Sequence, residues 1–289
     1  MKSFKKVGEA LLVIIALLFS FYYTEKAIVI LESNDPIMKE IKENKVNSEE
    51  KAINAKIVDN IIIPGYNGLE VNLEESFKKM KNYGSYNESL LVFDEVSPSI
   101  SIDDYYDKYI SSGNGVTTDI ALIFTIEDST YLEKLINIID STSINTTFFI
   151  DGTVLEENYS MFSNLNKEKY ELELLSYDKS YDEMLFKNSL YKLETISGSA
   201  PKYCYADYDR EEVLNLCNSL SMHTIIPTLK LEENIYASVK GNLRNGSIIR
   251  VNLSDSNLSE LNILINYIKQ RGFTLVTLDT LLNEGRSEK

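Results

Sequence analysis

The stretch DIALIFTIEDSTYLEKLINIIDSTSINTTFFID, Asp119 to Asp151, decides the fold. It reads as a strand from Ile120 to Ile126, a pair of carboxylates at Glu127 and Asp128, a helix, and a second strand from Thr146 to Ile150. Leu132, Leu135, Ile136 and Ile139 fall at i, i+3, i+4 and i+7 and make one apolar stripe, as in an amphipathic helix. Thr130 with Glu133 three residues later predicts a capping box at its start. The flanking runs are short, apolar and rich in Ile, Thr and Phe, as expected of parallel strands buried on both faces. The unit is therefore βαβ. Its acidic pair sits at the C-terminal end of a strand, where α/β barrels and open parallel sheets place their chemistry.

The same alternation continues downstream. A helix follows Gly152, then come a strand at Glu171 to Leu175, a helix from Asp182 to Ile196, a short strand at Lys202 to Tyr205 and a helix from Asp209 to Leu220. Strands at His223 to Ile226 and Ser247 to Asn252 precede a last helix marked by Leu261, Leu264, Ile265 and Ile268, with Gly272 as its stop. Repeated βα units of this kind predict a parallel-sheet α/β architecture. Upstream, Ser111 to Gly115 is a turn-rich break and reads as a domain boundary. Residues 56–112 before it read as a small α/β module: a strand at Lys56 to Ile63, a helix opened by Asn72 and Glu75, and a strand at Ser89 to Val96. Residues 24–55 read as a polar stalk, part helical.

The N-terminus carries the localisation signal. Lys2, Lys5 and Lys6 mark residues 1–6 as a cytoplasmic stub, and residues 7–23 read as a transmembrane signal anchor of about the minimum length for a bilayer, roughly 17 residues. No A-x-A-like cleavage site follows, which favours a retained anchor over a removed signal peptide. The body is then extracytoplasmic on a single-pass cell-membrane protein. A formal charge of −15 argues against nucleic acid as a partner. Cys204 and Cys217 can pair in an oxidising compartment, although two cysteines do not make a disulfide framework.

The central stretch resembles the opening of polysaccharide deacetylase domains, carbohydrate esterases with a T-F-D-D-G motif followed by a helix and an A-T-F-F-type strand. Here the motif stands as Thr125, Ile126, Glu127, Asp128, Ser129 and the strand as Thr146, Thr147, Phe148, Phe149, Ile150. Gly272 to Leu282 resembles the closing strand and helix of that family. The resemblance implies an incomplete, distorted parallel (β/α) barrel over residues 117–284. It also implies a zinc-type site in which one Asp and two His hold a divalent metal, a second Asp is general base and another His is general acid.

That site is degenerate in this chain. The base position is Glu127 and the metal-ligand position Asp128. The H-[ST]-x-x-H motif meets Leu175, Ser176, Tyr177, Asp178 and Lys179, with both imidazoles gone; leucine cannot ligate and a lysine ammonium repels a cation. The R-x-P-Y motif meets Cys204, Tyr205, Ala206 and Asp207, and the L-H-D motif meets Val251, Asn252 and Leu253. The chain has one histidine, His223, and it falls at the start of a strand, away from the active end. One imidazole cannot supply two metal ligands and an acid.

The expectation is an exported, catalytically inactive relative, without cofactor, that binds cell-wall glycan or scaffolds an envelope protein partner. Glu127 and Asp128 are then relics, and Tyr177, Tyr205 and Asp207 are binding candidates, because tyrosine rings at strand ends can stack on sugars. Asp128, Asp178 and Asp207 are a candidate carboxylate site for a hard cation. The competing expectation is an active carbohydrate N-deacetylase with a rebuilt site.

Overall fold

The computed structural model describes residues 2–286, the side chains of residues 2–13, 25 and 27–29 excepted. The strands described are β1 (Lys56–Val58), β2 (Ile61–Ile63), β3 (Gly68–Val71), β4 (Phe93–Val96), β5 (Tyr109–Ile110), β6 (Asp119–Ile126), β7 (Thr146–Ile150), β8 (Tyr170–Leu174), β9 (Tyr203–Tyr205), β10 (His223–Ile225), β11 (Leu229–Leu231), β12 (Ile248–Val251) and β13 (Thr274–Val276). The chain divides into two compact units: residues 1–51 with 68–96, and residues 52–67 with 97–289.

The first unit contains the helices Lys2–Asn34, Pro36–Ser48 and Leu73–Tyr83 and the antiparallel pair β3–β4. Asn72 caps the third helix by accepting from the Glu75 N–H at 2.9 Å, as the sequence predicts. Met38, Ile41, Val71, Phe77 and Met80 form its small core. Two expectations need correction. Residues 24–48, expected as a part-helical stalk, are almost wholly helical, with Pro36 at the first position of a capped helix whose Met38 and Ile41 are built into the core just named. Ser89 to Val96 is a short 3₁₀ turn at Glu88–Leu90 followed by β4 alone. The expected anchor at 7–23 lies partly outside the described side chains. Among the described residues no helix is long and apolar enough to cross a membrane.

The second unit is built on two sheets. One runs β11-β12-β6-β7-β8, with β13 pairing the first residues of β6; the other runs β1-β2-β5-β10-β9, and every pair but β1–β2 is parallel. Because successive side chains point to opposite faces, each strand divides its residues between two cores. Leu122, Phe124, Phe148, Leu172 and Val251 face the helices. Ala121, Ile123, Phe149, Tyr203, Tyr205, Ile225 and Ile248, contributed by both sheets, meet in a shared interior. The result is the expected incomplete, distorted (β/α) barrel. Among the described residues no ladder joins β8 to β9, and the buried Glu173 on β8 takes its place: its carboxylate accepts the Lys202 N–H at 3.0 Å and the Tyr203 N–H at 3.0 Å. Leu278, Leu281 and Leu282 of the closing helix pack into the interior from the N-terminal end.

The boundary at Ser111 to Gly115 is corrected too. The run Lys56 to Ile63 is a hairpin, turned at Asp59 with φ +54°, and with β5 it belongs to the same sheet as β9 and β10. The glycine-rich break is a packed crossing: the Gly113 N–H donates to the Gly246 carbonyl at 2.8 Å. A Cβ on Gly246, whose φ is +77°, would lie 2.6 Å from the Gly113 carbonyl oxygen. These glycines let two backbones touch, which in sequence is indistinguishable from a linker. Cys204 on β9 and Cys217 on the helix Glu211–Ser219 form a disulfide with a Cα separation of 6.4 Å, resolving the pairing that the sequence left open.

Candidate functional site

The C-terminal mouth of the barrel is a small cavity of about 170 Å³ lined by Glu127, Leu175, Lys179, Tyr181, Tyr205 and Asp207, with Ser176 and Arg210 at its rim. Its size and floor follow from the residues at strand ends. Leu175, only 6% exposed, packs into the interior core with Phe149 and Tyr205. The apolar side chain at the first expected imidazole position therefore forms the floor of the site. At the second, Lys179 places its ammonium 3.9 Å from the Glu127 carboxylate, both groups being solvent-exposed.

Asp128 is exposed and turned toward its own backbone, accepting the Thr130 N–H at 2.8 Å. Hydrogen bonds from Thr130, first of all, and more weakly the charge of Lys179, hold its carboxyl below the usual range. This Asx turn replaces the predicted capping box: the helix Leu132–Asp140 begins after Tyr131 with no side-chain cap. Tyr205 donates to Asp207 in a short hydrogen bond, and burial together with that bond pushes its phenol pKa up. Tyr181 sits under the Arg210 guanidinium, 4.9 Å from ring centroid to Cζ, and burial raises its pKa against that positive charge.

Of the residues predicted from sequence, Glu127, Tyr205 and Asp207 line the mouth. Tyr177 does not. It packs against Gly152, where an added Cβ would lie 2.5 Å from its ring, and its hydroxyl faces Glu156 at 3.5 Å. Asp178 and Lys179 both have positive φ, +49° and +58°, which turns the chain away from the strand end. Asp128, Asp178 and Asp207 do not form a cation site, and among the described residues no group of three or more His, Cys, Asp or Glu is placed to hold a metal ion. A tetrahedral zinc centre does not fit the side chains present: the positions that should carry imidazoles hold a hydrocarbon and a cation.

Three residues at or near the mouth escaped sequence reading. Asp151, 1% exposed, accepts from the Ser176 hydroxyl at 2.5 Å and from the backbone N–H groups of Thr153, Asp178 and Lys179 at 3.0, 3.1 and 3.1 Å. Burial opposes its ionisation, but these bonds overcome burial and its pKa lies below the usual value. It holds the 176–179 loop in its left-handed turn. Arg250, 9% exposed, donates to Glu232 at 2.7 Å and to Thr125 at 3.3 Å, placing a guanidinium inside the barrel beneath the first motif. Tyr181 is the third. An arginine alternating with Ile249 and Val251 was the one available signal for Arg250.

His223 is at the start of β10, at the N-terminal end of the barrel as expected, and is buried at 4% exposure.

No family model matches the chain. It is 28% identical over 280 residues to the uncharacterised protein YlxY of Bacillus subtilis, covering 90% of this chain and 87% of that one. The crystal structure of a CE4 family pseudoenzyme from Bacillus anthracis superimposes with a TM-score of 0.66 at 23% identity, over 88% of this chain and 97% of that chain. A mutant of that pseudoenzyme is described as having restored enzymatic activity. Bacillus subtilis PdaA, a family 4 carbohydrate esterase, matches with a TM-score of 0.51 at 16% identity, over 62% of this chain and 86% of that chain. The fold is that of the CE4 polysaccharide deacetylases.

Proposed function

We propose that this chain is an exported, catalytically silent polysaccharide-deacetylase-like protein that binds glycan at the cell envelope. The observation that carries the reading is the pairing of Lys179 with Glu127 above a floor made by Leu175. A catalytic centre of this class needs an electrophile with three protein ligands and an open position. Here the corresponding space holds an ion pair, so the general-base position is partnered by an ammonium. Asn252, at the general-acid position, has an amide that does not titrate. What remains chemically is a shallow polar cup with charges of both signs, suited to hydrogen bonding; the Tyr205 ring, 3% exposed, is buried in its floor and does not stack on a ligand.

Export and attachment rest on the N-terminal lysines and the apolar run after them. The pseudoenzyme of the same fold from Bacillus anthracis supports the loss of activity as a state this fold tolerates.

The test is co-sedimentation of the purified full chain with insoluble peptidoglycan and with chitin. Retention in the pellet, competed by soluble fragments of the same polymer, is expected. Equal recovery in the supernatant with and without polymer would leave a purely structural role among envelope proteins as the better reading.

A further inference from the structure

At the N-terminal end of the barrel strands, opposite the mouth, lies a second cleft of about 810 Å³, lined by Asp103, Tyr106, Lys202, Tyr203, His223 and Asp279 among others. Its volume falls in the range of small-molecule sites, about 300–1,000 Å³, which the mouth does not reach. The sole imidazole of the chain forms part of its wall. The His223 ring stacks on Tyr106 with centroids 4.5 Å apart and lies 6.3 Å from Tyr203. Its Nε2 faces the Asp103 carboxylate at 3.4 Å. Burial holds the imidazole pKa below its ordinary value against the opposing pull of Asp103. The neutral ring places Nε2–H toward Asp103 and keeps Nδ1 buried, so the imidazole backs the Tyr106 ring and does not itself face a ligand.

The charges around the cleft are already engaged. Lys202 pairs with Asp279 at 2.5 Å. The Glu284 carboxylate accepts the N–H groups of Gly65 and Ile102 at 2.5 and 3.3 Å. An ionic ligand would have to break these contacts, whereas a neutral, hydroxyl-rich one would not. Such a ligand offers hydroxyls to the exposed Asp103 carboxylate and C–H faces to the Tyr106 ring. We propose that this cleft binds a short stretch of neutral saccharide, with Tyr106 as stacking platform and Asp103 as hydroxyl acceptor. The proposal rests on the glycan-binding reading for its ligand class, but places the ligand on the face opposite the degenerate site.

A single histidine gives a single reporter. The full chain labelled with ¹³C-histidine is titrated with chitotetraose while the imidazole Cε1–H signal is followed, with calorimetry in parallel. The signal is expected to shift and saturate with a Kd of about 1 mM or tighter. Tyr106→Ala and Asp103→Ala are each expected to weaken binding about tenfold, which is about 1.4 kcal/mol. Tyr106→Phe retains it. Should Tyr106→Ala not fold, Asp103→Ala, at an exposed position, decides. Binding heat with a static imidazole signal and sensitivity to Asp207→Asn would overturn this cleft while leaving the glycan-binding reading in place. Absence of both heat and shift, with chitin retention intact, would overturn the cleft alone; absence of all three would overturn both.

Discussion

At the scale of single residues, the interior is governed by buried carboxylates that serve as backbone acceptors. Glu173 closes the β8–β9 seam, and Glu171 accepts from the Leu278 and Asp279 N–H groups at 2.8 and 3.1 Å and from the Thr147 hydroxyl at 2.5 Å. Burial raises both carboxyls, Glu171 to about 7 with Asp279 adding to the effect, and Glu173 well above its ordinary value with the charge of Glu171 beside it. A folded pKa above the unfolded one means that the native state binds more protons between the two values. Stability from this source is full below the unfolded carboxyl value and is lost as pH rises through about 7. Thermal melting followed from pH 5 to 8 should therefore show Tm falling with rising pH, and Glu171→Gln should flatten that slope; a slope unchanged in the variant would remove Glu171 as its source. Asp151 has the opposite sign, its contribution being present above the usual carboxyl range and lost as pH falls through its lowered value. Asp151→Ala leaves three buried or half-buried N–H groups without their acceptor and should cost about 2–3 kcal/mol by denaturant unfolding. A change under half that would mean water replaces the carboxylate.

Individual residues were also where the sequence was least informative. Nothing in TFFID distinguishes Asp151 from any helix N-cap, which it also is. Its second role depends on a loop 25 positions away in the chain folding back on it. Glu171 and Glu173 alternate with Tyr170, Leu172 and Leu174, which reads as the ordinary half-exposed strand pattern. Only the barrel's closure turns that polar face inward.

At the scale of elements, the βα units from Asp119 onward were legible because their apolar periods are strong and their caps local. Asp182 caps the helix Glu183–Ser197 by accepting from Leu185 N–H at 3.0 Å. The short strands β5 and β11 were not legible, since two or three residues carry no period. This bears on where the barrel begins. A chain starting at Thr117 lacks β1, β2 and β5 and leaves the β10 edge without its neighbour. We expect it to unfold without cooperativity or to aggregate, whereas a chain starting at Asp35, which keeps Met38 and Ile41 in the core of the first unit, should not. A sharp single denaturant transition for the Thr117 start would show that the second sheet is dispensable. The Cys204–Cys217 disulfide ties helix Glu211–Ser219 to β9 across 13 positions, and its reduction should cost about 3 kcal/mol in the chain-entropy account. Equal midpoints with and without reductant would show that packing of that helix suffices.

At the scale of the whole molecule, the fold is that of the CE4 deacetylases, and Leu175 and Lys179 stand at its mouth where the resemblance implies imidazoles. The sequence made this visible through the count of histidines and the motif positions, and the structure adds where those side chains go: Leu175 packs into the interior, Lys179 lies beside Glu127, and the Arg250 guanidinium lies in the barrel beneath them. The measurement that tests this most directly is acetate release from chitooligosaccharides and peptidoglycan fragments by the purified full chain with Zn²⁺, Co²⁺ or Mn²⁺ added, beside Asp128→Asn and a variant carrying Glu127→Asp, Leu175→His, Lys179→His and Asn252→His. The account predicts no metal-dependent release by the native chain or by Asp128→Asn, with any gain confined to the fourfold variant. Release by the native chain that requires both metal and Asp128 would contradict it and establish a rebuilt deacetylase site.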